Sequence, residues 1–221
     1  MKNLKITSSE ILGVSPASAP APARRGNRVT RIPEILDVAF KVFATEGYIG
    51  FTQRRIADAA GIRLGTLQHY FGTREELLRR TITELANRHI AEYQALAKNT
   101  SDSPTERLEN IVDRVFNLLQ GPEKNTGLFA LHCWSLAEHE PFVADLMSES
   151  QGKLIDLFTG LIGKINPQLP SGECALRATL IVSHMQGLIV IIRRRSDSDT
   201  DWDALRVATK AVWKALSTAH Q

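Results

Sequence analysis

Cysteine is scarce in this chain. Cys133 and Cys174 are its only two, far apart and without C-x-x-C spacing, which argues against a disulfide framework and a zinc knuckle and makes buried, reduced thiols the expectation. Long hydrophobic runs are missing too. No stretch holds the roughly 18 uninterrupted apolar residues of a membrane span. Near the N-terminus the best apolar run is Ile11-Leu12-Gly13-Val14, too short for a signal-peptide core. The cytoplasm is therefore the expected location. Strand-like alternation is absent, so the expected fold class is all-α. Catalytic signatures are equally thin: the chain has no nucleophile elbow, P-loop or glycine-rich nucleotide motif. His132 and Cys133 are adjacent and would point about 100° apart on a helix. His132 and His139 lack the H-E-x-x-H arrangement of a zinc helix. No catalytic residue, metal or cofactor is expected.

The charge is unevenly distributed. Residues 1–80 carry 13 Lys/Arg against 7 Asp/Glu, and residues 81–221 carry 14 against 17, so a net charge of +3 conceals a basic front end and a slightly acidic remainder. A basic end is the nucleic-acid end of a chain. Residues 1–28 include Ser-Pro-Ala-Ser-Ala-Pro-Ala-Pro-Ala, a composition that buries too little apolar surface to offset its ordering entropy, and a disordered arm is expected there. It ends in Arg24, Arg25, Arg28 and Arg31, placed to track phosphates or enter a minor groove, or to act only as a solvated basic linker.

The most informative stretch is Phe51 to Phe71, FTQRRIADAAGIRLGTLQHYF. Thr52 is placed to N-cap a helix, and Ile56, Ala57 and Ala60 recur at the spacing of one buried face. Gly61 suits the left-handed residue that ends a helix. Ile62 plugs the turn, and a second helix runs from about 64 to 70. Two short helices about a tight turn read as a helix-turn-helix. In that motif the second helix lies in the major groove, with apolar positions inward and polar or small ones outward. Leu67 and Phe71 satisfy the first condition; Arg63, Thr66, Gln68, His69 and Tyr70 satisfy the second, while Gly65 permits close backbone approach.

The flanking segments RIPEILDVAFKVFATEGYIGFT and GTREELL make the pattern more specific. With Ile35, Ala39, Phe43, Gly47, Tyr48, Thr52, Ile56-Ala57, Ala60-Gly61, Gly65-Thr66-Leu67, Phe71 and Glu76-Leu77-Leu78, the run from Arg31 to Leu78 resembles the DNA-binding domain of TetR-family transcriptional regulators. Two positions depart from the common pattern. Gln68 stands where the family usually has a phosphate-contacting Tyr, and Arg74 where it usually has Lys. The DNA-facing set implied is Thr52, Arg54, Arg63, Leu64, Gly65, Thr66, Gln68, His69, Tyr70 and Arg74. This places a DNA-binding domain at 29–78 and a helical regulatory and dimerisation domain at 79–221.

Helices are expected at about 33–47 with Pro33 at the favoured first position, at 74–97 behind a Thr73/Glu76 capping box, and from Pro104 behind a Ser103/Glu106 capping box. Others follow at 126–138, 141–165, 172–193 and 203–218. A ligand site is mostly apolar and aromatic with a few polar handles, which suggests Phe116, Phe129, His132, Trp134, Phe158, His184 and Met185. The helix over 172–193 is apolar on more than one side and needs neighbours all round. The family resemblance implies a two-fold, four-helix interface made with the last helix, and the expected contacts are Leu180, Ile181, Gly187, Ile189, Ile192, Val212 and Trp213. Gly187 costs about 1 kcal/mol of helix propensity relative to Ala, an expense expected to serve a close helix crossing or a ligand.

The reading is a homodimeric transcriptional repressor that binds double-stranded DNA at a pseudo-palindromic operator and responds to a small-molecule effector. A non-sensing architectural DNA binder, and an enzyme with an accessory DNA-binding head, are the alternatives. With roughly eight phosphate contacts per dimer, the log–log dependence of operator affinity on salt should have a slope of about −7. Titrations between about 50 and 200 mM salt check this, and a flat profile would contradict it.

Overall fold

The computed structural model describes residues 28–194 and 201–219, which form nine α-helices and no strand. The Pro/Ala-rich arm expected over 1–28 lies outside the described residues apart from Arg28. The helices are α1 (Arg28–Gly50), α2 (Gln53–Ala59), α3 (Leu64–Tyr70), α4 (Arg74–Lys98), α5 (Pro104–Gln120), α6 (Asn125–Ala137), α7 (Pro141–Ile165), α8 (Ser171–Arg194) and α9 (Trp202–Thr218).

Several helices start where a side chain satisfies an orphan N–H. Thr52 Oγ1 accepts from Arg55 N at 3.1 Å, and Asp201 accepts from Ala204 N at 2.9 Å. Ser103 and Glu106 form both arms of a capping box, at 3.3 and 2.7 Å. Each cap is worth about 1 kcal/mol. At α4 the expected reciprocal box is displaced by one residue. Thr73 accepts from Glu76 N at 3.0 Å, but the Glu76 carboxylate accepts from Gly72 N, also at 3.0 Å, and so ties down the turn ahead of the cap. Helix α1 also departs from expectation, since it begins before Pro33 and contains it. A proline so near a helix start removes little beyond the bond to the Val29 carbonyl.

The chain continues past Gly47 to Gly50, but with a break, because Gly47 adopts φ 66° and ψ −167°. This is a region of backbone space essentially restricted to glycine. A Cβ there would also meet the His132 ring at 3.3 Å.

Two hydrophobic cores result, and they do not divide at residue 78. Ile35, Ala39 and Phe43 of α1 pack with Phe51, Ile56, Ala57, Leu67, Phe71, Leu77 and Leu78, and the same core takes in Phe129, Cys133 and Leu136 of α6 and Val143 of α7. The second core joins Tyr93 and Ala97 of α4 to α5, to Phe158, Leu161 and Ile162 of α7, and to the inner faces of α8 and α9. Helices α4 and α7 thus run through both cores, and α6 seals the reading head from behind.

Helix α8 is long and apolar enough by composition to cross a bilayer. Its inner stripe of Cys174, Ala178, Ile181, Val182, Met185, Leu188 and Ile192 instead packs into the second core. Arg177, 7% exposed, bonds Glu173 at 2.6 Å and donates to the carbonyls of Leu216 and Ala219, capping the end of α9. Of the expected interface residues, Ile181 and Trp213 are fully buried, Ile192 nearly so, and Ile189 packs against the same core. Leu180 and Val212 of that set are exposed, on a face shared with Leu176, Val190 and Ile191 of α8 and Val207 of α9. An all-apolar helix gives no signal of which side its own subunit takes. Gly187 meets no atom within 4 Å where a Cβ would stand, so no close helix crossing within the subunit explains it.

Gly47→Ala should destabilise the protein by about 1 to 3 kcal/mol, the cost of forcing a Cβ into this backbone region. Urea unfolding checks this; an unchanged midpoint would contradict it.

Candidate functional site

The α2–α3 pair turns at Gly61, whose φ of 63° lets Ile62 N return to the Ala57 carbonyl at 3.0 Å. Ile56, Ala57, Leu67 and Phe71 are fully buried or nearly so. Locked from within, α3 presents Gly65, Thr66, Gln68 and His69 outward, flanked by exposed Thr52, Arg54 and Arg63, with Leu64 and Tyr70 half-buried at the margins. The two Gln side chains are linked: Gln53 Nε2 donates to the Phe71 carbonyl at 2.8 Å, and Gln68 Nε2 approaches Gln53 Oε1 at 3.5 Å. Arg55 turns away to pair with Glu46 at 2.7 Å.

Arg74 is the member of the DNA-facing set that the structure orients elsewhere. Its guanidinium donates to the Phe51 carbonyl at 2.6 Å and to the Tyr48 carbonyl, and lies 3.9 Å from the centroid of the Tyr48 ring. These bonds tie the start of α4 to the carbonyls at and just past the end of α1, so its charge serves the fold of the head.

The seven residues suggested for the ligand site are dispersed. Phe116 and Phe158 are fully buried; Phe158 meets Trp213 edge-on at 5.4 Å, and Met185 lies in the same core. Trp213 Nε1 donates to His184 Nδ1 at 2.9 Å, and burial lowers the His184 pKa, so this imidazole is a neutral acceptor. Trp134 borders a wide, polar groove that also reaches Glu138, Gln151 and Gly187. His132 packs against α1. Aromatic residues at helical spacing proved to be mostly core.

One cavity has the character of a ligand site, and of the seven only Phe129 borders it. About 150 Å³, partly open to solvent, is lined by three helix faces: Ile82, Leu85, Ala86, His89, Ile90 and Tyr93 of α4, Thr126, Phe129, Ala130 and Cys133 of α6, and Met147, Ser150 and Leu154 of α7. Each set follows the three-and-four spacing of a single helix face. The cavity lies where the two cores meet, for Ile82, Phe129 and Cys133 belong to the head core and Tyr93 to the other. Burial raises the pKa of the Cys133 thiol and of the Tyr93 hydroxyl, so both stay protonated. His89 is held neutral chiefly by burial, and neither of its ring nitrogens has a hydrogen-bond partner. The sequence signal for this site was a polar residue within the inner stripe of a long helix, a pattern easily taken for a mere connector.

The cavity wall is also the back of the reading head. The Phe129 ring lies 5.3 Å from Phe40 and 5.0 Å from Phe43, and His132 lies 5.8 Å from Phe43. Tyr48 Oη donates to Glu140 Oε1 at 3.3 Å, and Arg88 of α4 pairs with Asp37 of α1 at 3.2 Å. Burial, reinforced by the Glu140 charge, raises the Tyr48 pKa and keeps that hydroxyl a donor.

Residues 35–81 match the family model for bacterial regulatory proteins of the tetR family. The chain is 27% identical over 168 residues to the HTH-type transcriptional regulator BetI of Stenotrophomonas maltophilia, covering 75% of this chain and 82% of that protein. It is 30% identical over 100 residues to the HTH-type transcriptional repressor KstR2 of Mycolicibacterium smegmatis, there covering 45% of this chain and 48% of the relative. Its fold matches a transcriptional regulator from Saccharomonospora viridis crystallised with choline, at a TM-score of 0.72 and 17% identity, over 83% of this chain and 95% of that one. These relatives are regulators and not enzymes, which removes the reading of an enzyme with an accessory head. The helix-turn-helix geometry and the family match agree: residues 35–81 are a DNA-binding domain of the tetR-family kind, carried on an all-helical chain that is similar to transcriptional regulators over most of its length.

Proposed function

We propose that the protein is a homodimeric repressor whose grip on a pseudo-palindromic operator is released by a small molecule bound between α4, α6 and α7. The observation that carries this reading is that α6 walls the cavity with Phe129 and Cys133 while Phe129 and His132 pack on α1 of the reading head. A ligand that favours one spacing of α4 and α6 would shift the head accordingly, because a ligand moves an equilibrium only by its differential affinity for the two states. Operator DNA would weaken the ligand by the same factor. The KstR2 name supports repression, and the choline complex of the Saccharomonospora viridis regulator supports effector binding.

Dimerisation is supported by the exposed apolar face of α8 and α9, since contiguous apolar surface of this kind marks an interaction site. Val207, Ala208, Ala211, Val212 and Ala215 are exposed along α9 beside Leu176, Leu180 and Val190 of α8. An isologous pairing of this face sets two reading heads about a two-fold axis, for half-sites about 34–36 Å apart or a multiple of that. Arg54, Arg63, Thr66, Gln68 and His69 are the side chains proposed to meet DNA, with Thr52 and Gly65 at the backbone. The protein so read acts in the cytoplasm, with residues 29–78 as the reading unit and 79–221 as the regulatory one. Genomic operator selection, followed by release assays with small molecules extracted from the purified protein, tests the whole reading; a selected operator that no extract or metabolite panel releases would favour a non-sensing DNA binder.

Thr66→Ala and Arg63→Ala should each weaken the selected operator by about 1 to 3 kcal/mol, as lost base-edge contacts do, with little change on random DNA. Arg74→Ala should lower stability by about 1 to 2 kcal/mol through its lost carbonyl bonds and weaken both DNAs alike. Anisotropy titrations beside urea melts separate these effects, and equal losses on both DNAs for all three variants would refute the assignment. For the dimer, Leu180→Arg or Val212→Arg should yield monomers of unchanged helicity, because each residue is nearly half exposed in the subunit, at 47% and 46%. Sedimentation checks this; dimers that persist in the double variant would place the interface elsewhere.

A further inference from the structure

We infer that the cavity between α4, α6 and α7 takes a neutral, mainly apolar molecule about the size of one aromatic ring, carrying a single hydroxyl or carbonyl group that meets the His89 imidazole. The inference rests on the reading of that cavity as the effector site and deepens it. Three observations carry it. The first is size: about 150 Å³ is the scale at which an apolar cavity accommodates benzene.

The second is the absence of charge. None of the residues enclosing the cavity is Asp, Glu, Lys or Arg. Outside the lining, Glu92 Oε2 stands 3.8 Å from His89 Nδ1, at ion-pair distance but beyond hydrogen-bond reach, and is already held by Arg114 at 2.6 Å. A cation or anion entering here would shed its water without gaining a counter-charge. A cation such as the choline seen in the Saccharomonospora viridis regulator would find no carboxylate among the residues that line this cavity.

The third is the polar end. His89 borders the cavity with both ring nitrogens buried and unpartnered. A neutral imidazole has one N–H to donate and one lone pair to accept, so a hydroxyl can use either and a carbonyl the first. Burial lowers the His89 pKa, consistent with that neutral form. The opposite, headward end is lined by Ile82, Phe129 and Cys133 and offers a second polar group only the weak donor of the Cys133 thiol.

The test is calorimetric titration of the full chain with four probes: benzyl alcohol, toluene, benzoate and choline. Benzyl alcohol should bind one site per chain, at least tenfold more tightly than choline or benzoate and several-fold more tightly than toluene. In Ala130→Phe, where a ring fills the cavity, that binding should vanish; in His89→Leu the advantage of benzyl alcohol over toluene should fall to about one. Should either variant fail to fold, the wild-type ring resonances of His89 decide, moving with benzyl alcohol and not with toluene. Choline or benzoate binding as tightly as benzyl alcohol, no binding of benzyl alcohol, or His89 resonances that stay still would each overturn the inference. DNA release is scored separately. Benzyl alcohol that binds without releasing operator keeps the ligand class and counts against the regulatory reading, whereas release by choline acting in this cavity overturns the class and keeps that reading.

Discussion

Both sides of α6 are occupied, and the rest of the molecule depends on that. One side lays Phe129 and His132 against Phe40, Phe43 and the Gly47 break of α1; the other encloses the cavity with Thr126, Ala130 and Cys133. Packed interiors do not deform smoothly, because each atom lost from contact forfeits dispersion energy. A shift of α6 must therefore be taken up either by the reading head or by the cavity. The tie between Tyr48 and Glu140, just past the end of α6, fixes the same junction from α7.

The head itself is tied together as one unit. Arg74 holds the Tyr48 and Phe51 carbonyls, Glu76 holds Gly72, and Thr52 and Thr73 close the starts of α2 and α4. These bonds link α1, α2 and α4 around a core in which Phe43, Phe51 and Phe71 have no solvent exposure. The contrast lies behind it, where the seam between the cores leaves a cavity and an imidazole without partners. An unpaired buried polar group costs about 1 to 3 kcal/mol, so this is a place where a suitable ligand has energy to recover.

Helix positions were legible in the sequence because their starts are local chemistry. The ends of α3 and α7 agree with the residues read from spacing, and the Ser103/Glu106 box sits where its motif places it. The helix-turn-helix was legible for the same reason, with Gly61, Ile62 and Leu67 each in the expected role. What sequence did not show was which face of an apolar helix meets which neighbour. Trp213 and Ile181, expected at a subunit interface, lie in the core, while Val207 and Ile191, outside the expected set, are exposed. The seven residues suggested for a ligand site are dispersed for the same reason. Choosing aromatics selected core residues such as Phe116 and Phe158, while His89 drew no notice because its lack of a partner arises only when α4, α6 and α7 come together. The charge of Arg74 is visible in sequence and suggests a phosphate contact; the Tyr48 and Phe51 carbonyls that it holds are brought to it only by the fold.

The central claim is that the state of the seam sets the separation of the reading heads. Both native thiols are buried, so a single cysteine introduced as Asp58→Cys on the exposed surface of α2 can be spin-labelled selectively. Pulsed electron resonance on the proposed dimer measures the distance between the two labels directly. The account predicts one narrow distribution with operator bound and a displaced or broadened one once a ligand fills the cavity, with Ala130→Phe, which blocks the ligand, removing that response. Identical distributions with the cavity empty and filled, in a protein whose ligand is shown to be bound, would contradict it.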